Sequence, residues 1–405
     1  MINVKKLCDK TILVLTLFWV VSICLFTQET WGRYVYLGAS VAVFLFTAVR
    51  GYGRINLQVN SYHIYTIGFA IFCGLSAVWA WEPMASIDKW QTIISTIICC
   101  AMMYPFYSEQ HSVESLITIL MQAGYIVAIY SIRRFGVSTL LAATVSRNTR
   151  MEFGYDNSNT IGMICALTVV IQVYKIIYDE KSIWAILMIP TMLVIAASQS
   201  RKALILMSGG IMMVIVLKNL NNTNFLKGFG KTFLSIVIVI IAIIGLSQLS
   251  IFDGINERMQ RMFASFTGNG IIDNSSIVRE KMRQAGLAQF LKTPLLGIGI
   301  GGSGAIAEMS VGKRTYLHNN YVELLACGGV LGTLLYYGAY ISCLNAFLRK
   351  QSIRNRQTVI CIVIMFTQLV MDYGMVSYYD KLHYLYLMIF FVQRDNLLRG
   401  KVEPS

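Results

Sequence analysis

Apolar residues fall in blocks of about 16–22 positions, and short polar stretches separate them. A block of that length crosses the hydrocarbon of a bilayer as one α-helix. The pattern predicts twelve spans, at 11–27, 34–49, 63–80, 87–107, 113–131, 160–178, 182–199, 203–217, 232–250, 318–345, 357–373 and 382–393. The chain thus reads as an all-α polytopic membrane protein in three parts. Residues 1–250 carry nine spans, 251–317 form the one sizeable segment outside the bilayer, and 318–405 carry three more spans and a tail. Lys5, Lys6 and Lys10 before TILVLTLFWVVSICLFT (11–27) imitate a signal peptide. No small-x-small cleavage site follows, so a retained first helix is expected.

Within the long segment, SSIVREKMRQAGLAQFLKTPLLGIGIGGSG (275–304) reads as an amphipathic helix ended by Pro294. Ile277, Met282, Leu287 and Phe290 have roughly helical spacing. Arg279 and Arg283 are one turn apart and share a face. GIGGSG (299–304) fits the letters of a dinucleotide-binding loop but follows a helix and a proline, not a strand. Its glycines are expected to let the backbone turn tightly and pack close to the membrane surface.

Composition agrees with the membrane reading. Of 405 residues, 56% are hydrophobic and 13% charged, against about 25% charged in a soluble chain. Mean hydropathy is +0.60. There are nine cysteines and no CxxC pair. Cys24, Cys73, Cys99, Cys100, Cys165, Cys343 and Cys361 lie inside apolar runs, so packing is expected of them, not disulfides or metal binding.

Alternate connections divide the 34 Lys and Arg residues 17 to 17, but eight of one set lie in the segment 251–317. Long loops do not count in the positive-inside rule. The remaining imbalance places both termini in the cytoplasm. Arg133, Arg134, Arg147 and Arg150 then share one outer connection. A bound anion would favour them there, and so would a solvated loop or lipid headgroups. Arg201 interrupts LVIAASQSRKALILMSGG (193–210), with Lys202 beside it and almost no loop. A charge at that depth is costly and marks a functional candidate, although an arginine snorkelling to the interface has the same pattern.

His318 falls at the start of the tenth span. Free N–H groups and the helix dipole favour an anion there. They also disfavour imidazolium, so a neutral ring able to accept a proton is expected, or else a simple polar helix cap. Gly328 and Gly332 offer a small-xxx-small face for close helix contact.

HNNYVELLACGGVLGT (318–333) reads as His-Asn, nine residues, then Gly-x-x-Gly-Thr. This resembles the signature of the O-antigen ligase and polymerase superfamily. YDNSNTIG (155–162), SQSRKALI (198–205) and the run from Arg279 through Phe290 and Pro294 to Gly301 are similar to other family segments, in the family's order. The first 150 residues resemble the family only as membrane spans. The resemblance implies a GT-C-like glycosyltransferase of the bacterial cytoplasmic membrane, working on the extracytoplasmic face without a metal or other cofactor. Its donor would be an oligosaccharide on undecaprenyl pyrophosphate. Arg201 and Arg279 match the family's pyrophosphate-binding arginines and His318 its catalytic histidine. Asn319, Lys202, Arg283, Arg147, Arg150, Asn157 and Asn159 are the further substrate contacts expected.

A short outer segment and the SRKAL wording favour a polymerase of capsular, exopolysaccharide or O-antigen repeats, with or without a chain-length regulator. The alternative is a ligase that moves the finished chain onto the lipid A core. A polysaccharide transporter is the rival from another class, but no internal repeat is evident and the charges gather at the surface, not the midplane. The expected partners are the lipid-linked glycan and the bilayer, with no role for nucleic acid.

Overall fold

The computed structural model describes residues 2–27, 29, 31–55, 59–110, 113–145, 151–180, 183–220, 274–349 and 351–400, with isolated positions 245, 256, 257 and 260. The expected ninth span apart from position 245, the segment 261–273, and Arg147 and Arg150 lie outside the described residues.

Every regular element among the described residues is helical. In order they are α1 (Ile2–Leu25), α2 (Gly32–Arg50), α3 (Ser61–Leu75), α4 (Pro83–Gln110), α5 (Val113–Phe135), α6 (Val137–Val145), α7 (Ser158–Asp179), α8 (Ile183–Ile186), α9 (Ile189–Ser198) and α10 (Arg201–Leu220). Then come α11 (Asn274–Lys292), α12 (Ser303–Val311), α13 (Asn320–Phe347), α14 (Arg356–Asp372) and α15 (Lys381–Leu398). A 3-10 turn, Ser76–Val78, extends α3. Seven of the described helices, α1, α2, α3, α5, α7, α10 and α13, are long and apolar enough to cross a membrane. The chain is an all-α polytopic membrane protein.

Several corners are set locally by asparagine or aspartate caps. Asn157, Asn319, Asn355 and Asp380 each accept a backbone N–H in the first turn of the helix that follows, which satisfies donors that a helix start leaves orphaned. α1 lies along α2 and α5, while α7 packs against α5, α9 and α10. α13 packs on α3, α11 and α15. One apolar cluster runs through this bundle. A smaller one, with Met282, Ile298, Ile306, Leu317 and Val322, seats α11 and α12 on the top of α13. All nine cysteines are buried and unbridged.

Ion pairs close one end of the bundle. Arg50 reaches Asp9 at 2.5 Å and Glu109 at 3.1 Å, joining α2 to α1 and α4. Lys175 pairs with Glu114, and Arg356 with Asp179. These are connections the charge pattern assigns to one side, and the structure gathers them at one end.

The structure departs from the expected elements in four places. The span expected at 182–199 is split into α8 and α9. Pro190 has no N–H, and its ring clashes with the carbonyl four residues back, which is Ile186, where α8 stops. The Leu187 carbonyl freed by the break accepts from Gln172 Nε2 at 3.1 Å and from the Tyr125 hydroxyl. The outer connection 132–159 holds a short helix, α6. On α11 the buried stripe is Met282, Gly286 and Gln289, while Ile277 is 37% exposed. The spacing that counts is the true helical one, not the apolar letters alone.

The fourth departure is inside α13. Gly329, at φ 62° and ψ −167°, breaks the helix. The loop 294–302 docks into the break. Val330 N–H donates to the Pro294 carbonyl at 2.8 Å and Leu331 N–H to Leu295 at 3.2 Å, while Ile298 N–H donates to Ala326 at 3.1 Å. Irregular backbone survives at membrane depth only where protein satisfies it, and here loop and helix satisfy each other. The glycines make the fit possible. A Cβ on Gly297 would lie 2.4 Å from the Cys327 carbonyl, and one on Gly301 2.4 Å from Ser86 N. Ser76 and Ser86 hydroxyls accept from Ile300 and Gly301 N–H. Gly328 and Gly332 do form a close-contact face, and the ring of Phe72 on α3 fills it.

Candidate functional site

The site is at the end of the bundle where α7, α10, α13 and α15 begin. α13 starts at Asn320, with Asn319 as its cap, so His318 sits one residue outside the helix and not at its first turn. Its backbone is left-handed, at φ 57°, a conformation that costs a non-glycine residue about 1–3 kcal/mol. Anchors on both sides impose it. Leu317 is buried, and its N–H donates to Glu323 Oε2 at 2.8 Å. Asn319 Oδ1 accepts from Val322 N–H at 3.0 Å and its Nδ2 donates to the Tyr373 carbonyl at 3.2 Å. Both polar atoms of Asn319 are thereby engaged within the fold.

The His318 ring lies 4.0 Å from that of Tyr316, centroid to centroid. Its Nδ1 is buried and makes no hydrogen bond with the described residues. Burial pulls its pKa down from 6.5 to about 4, and the charges of Arg279, Lys202 and Lys313 pull the same way. The ring is therefore neutral at physiological pH. The sequence reading assigned neutrality to the helix dipole, whereas the structure assigns it to desolvation and three cations.

Those cations come from three places in the chain. Arg279 lies on α11, whose seat on α13 brings it to His318 and Tyr316. Lys202 lies in the first turn of α10, and its ammonium donates to the Gly374 carbonyl at 2.5 Å. Lys313 is exposed in the connection before α13. Arg201, half-buried, is the first residue of α10. Arg283 is bonded to Glu280 on its own helix, at 2.5 and 2.8 Å.

The α9–α10 corner explains how α10 is aimed. Gln199 ends α9 in a left-handed conformation, and Ser200 Oγ accepts from Ala203 N–H. Ser200 also donates to Asn159 Oδ1 at 3.0 Å, joining this corner to the start of α7. Only a glycine at 162 leaves room, since a Cβ there would lie 2.5 Å from Ser198 Oγ. Asn157 caps α7 by accepting from Asn159 N–H. Arg134 rests against Tyr130 and Tyr155 near the same end.

Residues 183–337 match the family model described as O-antigen ligase. This stretch contains Arg201, Lys202, Arg279, Arg283 and His318 together. That stretch, under half of the chain, is similar to the O-antigen ligase and polymerase superfamily. None of the curated proteins matches the chain. Members of this superfamily are glycosyltransferase-like enzymes, and in this chain the histidine of the similar stretch stands among cations at one end of the bundle.

Sequence reasoning missed the support beneath that histidine. Glu323 is fully buried and pairs with Lys89 of α4 at 3.0 Å. The Lys89 ammonium also donates to Ser303 Oγ and the Tyr378 hydroxyl, and lies 4.6 Å from the Tyr379 ring centroid. Beside it, Asn320 Oδ1 accepts from Ser377 and Tyr378 N–H, and its Nδ2 donates to Tyr337 and Asp372. This network ties the start of α13 to the connection 373–380, which presents Gly374 to Lys202. Glu323 lies five residues after His318, and its charge inside an apolar run was the available signal. Asp156 is a further titrating group at this end, where burial pushes its pKa up to about 6. Among the described residues, no group of three or more His, Cys, Asp or Glu side chains is placed to hold a metal ion.

Proposed function

We propose that this protein transfers a glycan from undecaprenyl pyrophosphate to a sugar hydroxyl on the extracytoplasmic face of the cytoplasmic membrane, joining lipid-linked repeat units into a longer chain. The observation that carries the reading is a neutral His318 beside Arg279 and Lys202, on segments brought together from distant parts of the chain. In this reaction the acceptor oxygen bonds to the anomeric carbon. The bond to lipid pyrophosphate breaks, and the pyrophosphate leaves with the electron pair. The hydroxyl proton passes to His318. Negative charge grows on the phosphate oxygens as the bond breaks, and guanidinium groups aimed at them stabilise that state more than the ground state. Arg201 and Arg279 have this role, with bidentate geometry suited to phosphate. Attack from the face opposite the leaving group inverts the anomeric centre.

The test is purified protein with lipid-linked repeats, and His318→Ala, Arg201→Ala and Arg279→Ala made singly. Removing the base lowers transfer by about 10²–10⁴-fold, while thermal unfolding stays near that of the parent. A His318→Ala protein with parental activity ends the catalytic assignment. The second reading is a ligase, the word that the family description uses. A product ladder supports polymerisation, whereas full-length chains left on the carrier in a deletion strain support ligation. Substrate crossing vesicles with no glycosidic bond changed would overturn both.

A further inference from the structure

At the opposite end of the bundle, a cleft of about 360 Å³ opens between the ends of α13 and α15. α13 has 28 residues, so the cleft lies about 40 Å from His318 at 1.5 Å per residue. That distance puts it at the other surface of the bilayer. Ser342, Asn345 and Arg349 line it from α13 and the turn after it, and Arg394 and Leu398 line it from α15. Tyr65 of α3 forms a third wall. It lies across Gly338, where a Cβ would already be 3.3 Å from the tyrosine ring.

The lining has two chemistries. Arg349 and Arg394 bring two guanidinium groups, and Ser342 and Asn345 add a hydroxyl and a carboxamide to the same lining. Arg394 is tied to Asp395 Oδ1 at 3.2 Å, and Asp395 Oδ2 accepts from Tyr104 and Asn60. That carboxylate is therefore shared three ways, and a guanidinium has five donors. Arg349 makes no ion pair among the described residues. Along the rim the surface is apolar, with Ile341 53%, Leu348 56% and Leu398 48% exposed. Cations in a recess with an apolar rim, at the level of a membrane surface, match a phosphate that carries hydrocarbon chains.

We propose that this cleft binds the phosphate of an anionic phospholipid headgroup, with the acyl chains along the rim. The test uses the full chain in neutral detergent, titrated with phosphatidylglycerol, phosphatidylcholine or inorganic phosphate and followed by thermal unfolding and native mass spectrometry. Phosphatidylglycerol is expected to raise the midpoint and stay bound, and phosphatidylcholine is not. Arg349→Gln, at an exposed position, weakens phosphatidylglycerol binding by about tenfold or more, Arg349→Lys restores part of it, and Arg399→Gln on the exposed tail leaves it unchanged. Equal effects of the two lipids, or parental binding in Arg349→Gln, overturn the proposal. Full protection by inorganic phosphate alone overturns the lipid source and assigns the cleft to a soluble phosphate.

Discussion

His318 is held in a strained backbone conformation by its neighbours and kept neutral by its surroundings. A proton acceptor at this position stops working only when acid protonates it, so the acid limb of transfer activity belongs near pH 4. Lys313 is exposed and contributes to that lowering. Lys313→Gln should therefore move the limb to higher pH with little change in maximal rate, as read from a pH profile of kcat/KM. A limb near pH 6 that ignores Lys313→Gln would point to Asp156 instead. The same shift bears on stability. The native pKa lies below the ordinary 6.5, so the unfolded chain takes up the proton first, and stability complete above that value is lost as pH falls toward 4. At this scale, the nearness of His318 to the start of α13 was legible, although it sits one residue outside the helix, and a neutral ring was expected from the helix dipole. The cause of the neutrality was not legible, because burial and the partner cations depend on tertiary packing. Lys89 was invisible for the same reason, being 234 residues from the carboxylate it pairs with.

Among the elements, α13 shows most clearly where reading the chain stops. Its apolar run was legible, and the paired glycines announced a close contact, whereas the cap is Asn319 and not His318. The break at Gly329 was not legible, because the carbonyls that complete it come from Pro294 and Leu295, more than 30 residues earlier. Gly329→Ala combines a positive φ with a Cβ 2.3 Å from the Leu295 carbonyl oxygen. It should destabilise the protein by at least about 1–3 kcal/mol, seen as a lower unfolding midpoint in detergent. Gly68→Ala is the control, since its Cβ would meet nothing within 4 Å, and it should be neutral or slightly stabilising. Equal midpoints for the two variants would remove the claim that the break is structurally required. The split of the expected span at 182–199 has the opposite lesson. Pro190 stands in the letters of that run, and a proline inside a helix is a local signal of a break.

For the whole molecule, hydropathy and charge gave the helical membrane class and the alternation of ends, and the ion pairs at one end agree with that alternation. Which end faces the cytoplasm is tested by labelling. The native thiols are all buried, so Lys313→Cys and Arg399→Cys can be compared over a low background. A membrane-impermeant maleimide should modify the first in intact cells and the second only after permeabilisation. The reverse result would place His318 inside the cell and end the proposed lipid-linked chemistry. Because Ala326, Val330 and Leu331 exchange hydrogen bonds with 294–298, prying α11 and its loop from α13 would strand backbone groups in hydrocarbon at several kcal/mol each. Arg279 and His318 thus ride on one stiff body, while Arg201 and Lys202 ride on α10, which packs along α7 and α14. The Lys202–Gly374 hydrogen bond joins α10 to the connection that Asn320 of α13 also holds, so in the proposed reaction the spacing of the histidine from its arginine stays constant.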